Sequence, residues 1–207
     1  MKRVLRFCLA LSGLAAAGKV AAVERIEVCY NYGCVAQATV EYTESQLAWA
    51  RKSLLAAKTA VEERAALAPV IGRLYYWAGR QSPIYADKGG NYADDAAPGS
   101  MDCIDHSTTT TRLLSMLARR GMLRYHHVLE PVRRTRFFVF DHFSAVIEES
   151  PPRWLPREKI TLHEEAPEEI QPDRFAVDSW FVDNGKPAVI LPLEDWKDGA
   201  GPDVEPD

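Results

Sequence analysis

The chain has 207 residues, of which 47% are hydrophobic, and it carries a formal net charge of −4 at pH 7. This length is sufficient for one domain with a sizeable core. The acidic balance argues against a nucleic-acid partner, because proteins that bind nucleic acid present basic surfaces to it.

Residues 1–22 predict a signal peptide. They begin with basic side chains, continue with an apolar run at residues 7–17 and end with small residues at 20–22, which is the three-part composition of an export signal. The apolar run is shorter than the roughly 18 to 20 residues that a membrane span needs. We therefore expect a periplasmic or secreted protein without an integral membrane segment in its mature form.

The cysteines that follow residue 22 are Cys29, Cys34 and Cys103. An oxidising compartment favours disulfides, and a turn between Cys29 and Cys34 would bring their sulfur atoms close enough to bond. With this pairing, Cys103 has no disulfide partner among these three cysteines. A leftover cysteine in an exported protein indicates either a small buried side chain or a reactive thiol.

The N-terminal part predicts a hairpin followed by helices. Residues 25–42 alternate and are rich in Val, Thr and Tyr, with the cysteine-bracketed segment as the turn. Capping patterns that begin at Thr43 and Thr59 predict two helices, the second of which extends to Gly79. We expect Pro69 to kink this second helix or to mark its start.

A third helix is predicted to carry Cys103 at its first position. Residues 81–100 are rich in Gly, Pro, Asp and Ala and predict a long loop. Asp102 can then cap a helix that starts at Cys103 and stops at Gly121. The N–H groups at this helix start would lower the pKa of the thiol, and they could stabilise an oxyanion on a substrate carbonyl.

The C-terminal half predicts a mostly antiparallel sheet. Its strand-like segments are residues 123–130, 137–148, 173–182 and 186–191. Asn184 and Gly185 predict a tight hairpin turn before the last of these. Residues 150–172 predict an exposed excursion, and residues 197–207 a disordered tail. The sequence thus indicates a single α+β domain over residues 23–196.

Two polar residues lie within apolar strand segments. His142 follows a run of aromatic and aliphatic residues, so its strand is expected to be central in the sheet and its ring to need a fixed partner. Asp178 has apolar neighbours on either side, and a buried carboxylate has to be paired. If the two strands are neighbours, Asp178 could orient His142 while His142 faces Cys103. The alternative is a structural His–Asp pair beside an inert cysteine.

These residues carry a resemblance to a known family. Met101-Asp102-Cys103-Ile104-Asp105 at a helix start, followed by a histidine on one strand and an aspartate on the next, resembles the transglutaminase-like branch of the papain-like fold. The similarity covers residues 99–185. It implies that Cys103 is the nucleophile, His142 the general base and acid, and Asp178 the orienting carboxylate. Asn91 and Tyr92 are candidates for an oxyanion-stabilising side chain.

The resemblance implies an exported thiol-dependent acyl hydrolase, a cysteine peptidase or amidase acting on a protein or peptide. Transfer of a glutamine acyl group to an amine is an alternative, as is a non-catalytic binding or assembly protein. No cofactor is expected. A further alternative is a metal site, whose candidate ligands are Cys103, Asp105, His106 and one of His126 and His127. The tryptophans are interpreted as core or rim packing.

Overall fold

The computed structural model describes residues 23–90, 97–136, 140–150 and 173–202. The predicted signal peptide at residues 1–22 lies outside the described residues, as do Asn91, Tyr92 and all but the first residue of the predicted excursion at 150–172. No helix among the described residues is both long enough and apolar enough to cross a membrane.

The N-terminal hairpin is confirmed. It consists of two antiparallel strands, β1 (Val23–Tyr30) and β2 (Ala36–Thr43). Cys29 and Cys34 form a disulfide across its turn, with their Cα atoms 4.6 Å apart. Alternate side chains of both strands are buried against the helices, as a strand with one apolar face requires.

Two helices follow and begin at the predicted caps. They are α1 (Glu44–Leu55), whose N-terminus has a complete capping box on Thr43, and α2 (Ala60–Gly79), capped by the side chain of Thr59. Pro69 lies inside α2. The prediction that Pro69 could mark the start of this helix is therefore wrong, because the Thr59 cap already satisfies the first backbone N–H groups ten residues earlier.

The third helix is α3 (Cys103–Arg119), and it starts at the predicted residue. Asp102 caps it through the backbone N–H of Asp105. Gly121 has φ +64° just past its C-terminus, a left-handed conformation that glycine adopts without steric cost. Within the predicted loop before α3, one short 3-10 helix forms at Pro83–Ala86.

The second half forms an antiparallel sheet, which confirms an α+β fold with mostly antiparallel pairing. The strands lie side by side in chain order and are β3 (His126–Arg136), β4 (Phe140–Glu149), β5 (Arg174–Asp178) and β6 (Val189–Pro192). A short helix, α4 (Leu193–Lys197), follows β6 directly.

The sheet is buried on both faces in its centre. Ala145 and Ile147 of β4 join the main core formed with the hairpin and α1, α2 and α3. The alternate residue Val146 packs on the opposite face with Ala176 of β5 and Trp196 of α4. The expectation that the strand of His142 is central is confirmed, since β4 has a partner on each side.

Two predictions for the strands need correction. The first strand does not end near residue 130 but continues to Arg136, across a register shift between Leu129 and Val132, because a bulge can absorb the break in alternation. The predicted turn at Asn184 and Gly185 does form, since the backbone N–H of Lys186 donates to the carbonyl oxygen of Asp183 at 3.0 Å and Gly185 has φ +89°. It does not directly join two paired strands, however, as a hairpin turn would. Ten residues separate the ends of β5 and β6, because this connection is packed on the rest of the fold and is not a simple hairpin loop.

The predicted disordered tail is wrong for residues 197–202. These residues include the last residue of α4 and a turn. The guanidinium of Arg134 on β3 donates hydrogen bonds to the carbonyl oxygens of Trp196 and Ala200, so backbone acceptors at the helix end have a buried donor. Residues 203–207 lie outside the described residues.

Candidate active site

The thiol of Cys103 lies against the backbone on both sides of His142. Its Sγ is 3.9 Å from the carbonyl oxygen of Asp141, and the backbone N–H of Phe143 donates to the sulfur. The side chain is partly exposed. The start of α3 is thus held beside the strand position that carries the histidine.

The helix start does not lower the pKa of Cys103, contrary to the sequence prediction. Burial raises the pKa of the thiol, and the charges of Asp102 and Asp178 raise it further, while N–H groups of Phe143 and of Cys103 itself oppose them. Burial of the thiol is the main reason for the error, and the capping box adds to it, because it places the acidic side chains of Asp102 and Asp105 at the helix start. These negative groups offset the positive end of the helix dipole.

His142 and Asp178 form a hydrogen-bonded pair across neighbouring strands. Nε2 of His142 is 2.7 Å from Oδ2 of Asp178. The His142 side chain is 12% exposed and that of Asp178 is 1% exposed, so the ring edge can reach solvent whereas the carboxylate cannot. Because the carboxylate accepts, Nε2 carries the proton and Nδ1 is the nitrogen left for another partner.

Two tryptophans complete the surroundings of Asp178. The indole N–H of Trp196 donates to Oδ2 at 2.9 Å, and the backbone N–H of Trp180 donates to Oδ1 at 3.1 Å. Asp178 therefore has three donors, as a buried carboxylate requires. Their rings also pack on the imidazole, with centroid distances from His142 of 4.7 Å for Trp180 and 5.6 Å for Trp196.

Sequence reasoning assigned Trp196 to packing alone and missed this hydrogen bond. The available signal was chemical. A buried indole N–H needs an acceptor, and a buried carboxylate beside one histidine still has lone pairs to satisfy. Nothing in the spacing of Trp196 from Asp178 points to their contact, since β6 and the start of α4 intervene.

The disulfide turn is docked on the start of α3. The N–H groups of Tyr32 and Cys34 donate to the two carboxylate oxygens of Asp105 at 2.8 and 2.6 Å, and that of Gly33 donates to Asp102 at 2.8 Å. Successive residues of this turn have φ between +58° and +64°, a backbone form whose N–H groups converge on an anion. Sequence reasoning did not anticipate this contact.

Asp105 occupies an electrostatically unfavourable position. Burial and the charge of Asp102 raise its pKa to about 6, although hydrogen bonds from the backbone of Asp102 and Cys34 act in the opposite direction. The turn and the helix start therefore form one unit whose charge state changes in mildly acidic solution.

The structure does not bring the predicted metal ligands together. His106 is buried and bonded to Asp87 and Ser179, and His126 is buried and bonded to Glu63. Among the described residues, the cysteine, histidine and acidic side chains that come close enough to share an ion are Cys29, Cys34 and Asp105. The disulfide occupies both sulfur atoms of that group.

Comparisons of the chain with protein-family models, with curated proteins and with solved structures find no match. Function is therefore inferred from the side chains of the site.

Proposed function

We propose that this chain is an exported thiol-dependent acyl hydrolase of the transglutaminase-like type, with Cys103 as nucleophile, His142 as general base and acid, and Asp178 as the orienting carboxylate. The observation that carries the proposal is the position of the Cys103 sulfur against the backbone on both sides of His142, whose ring is fixed by Asp178. The disulfide supports an oxidising compartment.

The raised pKa of Cys103 defines how the thiol would react. A thiol that stays protonated at neutral pH attacks a carbonyl only when a base accepts its proton. Nδ1 of His142 is the nitrogen for this transfer, because Nε2 is bonded to Asp178. The sulfur then bonds to the carbonyl carbon, and the imidazolium returns the proton to the leaving amine.

The remaining steps use groups at the start of α3. The first N–H groups of a helix have no partner within it, and those of Cys103 and Ile104 are suited to stabilise the oxyanion. Water then attacks the thioester with His142 again as base, which releases the acid and restores the thiol. Ile104 is partly exposed beside the thiol and offers an apolar contact for a peptide substrate.

The proposal is tested by labelling with a peptidyl chloromethyl ketone, followed by intact-mass analysis and peptide mapping. We expect one adduct, located on Cys103. His142→Ala should slow the labelling by about a hundredfold or more, the usual contribution of a positioned base. His127→Ala is the matched control, because His127 is an exposed histidine on the neighbouring strand that pairs with Glu148, and it should label at the wild-type rate.

Hydrolysis is checked on the wild type and on Cys103→Ala with a mixture of synthetic peptides. Release of new termini by the wild type and its loss in Cys103→Ala would support a peptidase. A Cys103 that labels no faster than free glutathione, and at the same rate with and without His142, would refute the enzymatic proposal.

A second candidate is an exported binding protein that keeps the fold without the reaction. The raised pKa of Cys103 favours it, because most reactive cysteines have a lowered pKa. Equal labelling of the wild type and His142→Ala would select this candidate.

A further inference from the structure

A buried polar network lies behind the proposed site and uses none of its three proposed reacting residues. Nε2 of His106 is 3.0 Å from Oδ2 of Asp87, and Nδ1 of His106 is 2.9 Å from Oγ of Ser179. Oγ of Ser179 is also 2.9 Å from the hydroxyl of Thr110 and 3.3 Å from that of Tyr75. All of these residues are buried.

The network joins the start of α3, which carries Cys103, to the end of β5, which carries Asp178. His106 is three residues after Cys103, so it lies about one turn along the same helix face. Asp87 accepts the backbone N–H of Met101 at 2.8 Å, just before that helix. The Asp87 carboxylate thus bonds residues on both sides of Cys103 in the chain, Met101 before it and His106 after it.

At its other end the network reaches the residues that hold His142. Ser179 lies between Asp178 and Trp180 in the chain. Asp178 bonds the His142 imidazole, and Trp180 both packs on that ring and donates its N–H to Asp178. A displacement of Ser179 would therefore move the acceptor and the ring that together orient the base.

We propose that Asp87, His106 and Ser179 are positioning residues, which fix the end of β5 to the start of α3 and thereby fix the His142–Asp178 pair beside Cys103. This proposal rests on the proposed function for its role in a reaction. The positioning itself concerns only the geometry of His142 and can be measured without any reaction.

The chemistry of the three residues suits this role. The imidazole has a nitrogen on each side of the ring, so His106 bonds the Asp87 carboxylate at one end and the Ser179 hydroxyl at the other. Apolar packing in the same space would bury the residues but would not fix the rotation of the segment at Ser179, because dispersion contacts have little directionality. Loss of one of these side chains should therefore loosen the orientation of the His142 ring by more than the loss of stability alone would.

The test is hydrogen exchange of the Nε2 proton of His142, followed by NMR on the disulfide-bonded protein labelled with ¹⁵N. Ser179→Ala should speed exchange of this proton at least about tenfold more than it speeds exchange of the Val146 backbone amide, because the local hydrogen bond to Asp178 is weakened in addition to the fold. Asp87→Asn keeps the volume and should act in the same direction.

Ser82→Ala is the matched control. Ser82 is also buried, and its hydroxyl donates to the backbone carbonyl of Ala78, a hydrogen bond that involves neither His106 nor the segment around Asp178. It should leave the ratio of the two exchange rates unchanged. If Ser179→Ala speeds both protons by the same factor, or neither, the three residues have only a structural role and the proposal is overturned.

The outcome is separable from that of the proposed function. Chloromethyl ketone labelling with His142→Ala tests the reaction, whereas the exchange ratio does not involve Cys103. If both the proposed function and the positioning role are correct, Ser179→Ala should also slow labelling of Cys103 by about tenfold, since even a small misplacement of a base lowers a reaction rate substantially.

Discussion

Replacing Asp178 by Asn should destabilise the protein, and the structure gives the magnitude. The carboxylate accepts hydrogen bonds from His142 and Trp196 on one oxygen and from Trp180 on the other. An asparagine has one acceptor oxygen, so in either orientation its amide group faces at least one donor. A buried donor left without an acceptor costs about 1 to 3 kcal/mol.

We therefore expect Asp178→Asn to lower the free energy of unfolding by about 1 to 3 kcal/mol and Asp178→Ala by about 3 to 5 kcal/mol, because the latter removes every acceptor from a buried pair. Urea unfolding followed by tryptophan fluorescence measures both. Asp141→Asn is the control. The Asp141 side chain is 46% exposed and accepts from Arg133 at 3.3 Å and from the Thr135 hydroxyl at 2.6 Å, and because these bonds are exposed its replacement should change stability by less than about 1 kcal/mol.

Equal stability of Asp178→Asn and Asp141→Asn, within error, would contradict this expectation. That result would mean that the three donors find water or other acceptors when the carboxylate is lost, and hence that the Asp178 side chain is not as enclosed as its 1% exposure indicates.

Other changes have equally defined outcomes. The pKa of Asp105, raised to about 6, means that the folded protein keeps a proton that the unfolded chain loses at lower pH, so stability should fall as pH rises from about 4 to about 6. Asp105→Asn should remove this part of the slope in urea titrations at several pH values. Replacing both Cys29 and Cys34 by Ala should lower the melting temperature, with a loss of about 2 kcal/mol for so short a loop. Glu63→Ala should cost about 3 to 5 kcal/mol in the same urea assay, because Glu63 is buried and its carboxylate accepts from the ring of His126 and from two backbone N–H groups.

Local chemistry made several elements predictable. Thr43, Thr59 and Asp102 each cap the helix that the sequence assigned to them, because a cap is decided by residues three positions apart. The pairing of His142 with Asp178 was expected only if their strands are neighbours, and β4 and β5 meet that condition. Residue type showed that a histidine and an aspartate within apolar strands each need a partner, but it did not show that the two strands are adjacent.

Features that depend on distant segments could not be predicted in this way. The pKa of Cys103 is raised by burial and by Asp178, which is 75 positions away in the chain and becomes a neighbour only through the sheet. The docking of the disulfide turn on Asp102 and Asp105 likewise joins segments with a separation of 69 residues. Neither contact leaves a periodicity or a spacing that a sequence pattern could report.

The short span of the disulfide also decides which cysteine stays reduced while the chain folds. Cys29 and Cys34 have a sequence separation of 5, whereas Cys103 is on the order of 70 residues away, a difference in loop-closure cost of about 2 kcal/mol. Among these three cysteines, the native pair therefore meets in the unfolded chain far more often than either pair that includes Cys103. Oxidation before folding should leave Cys103 as a thiol, without the need for an isomerase to rescue it.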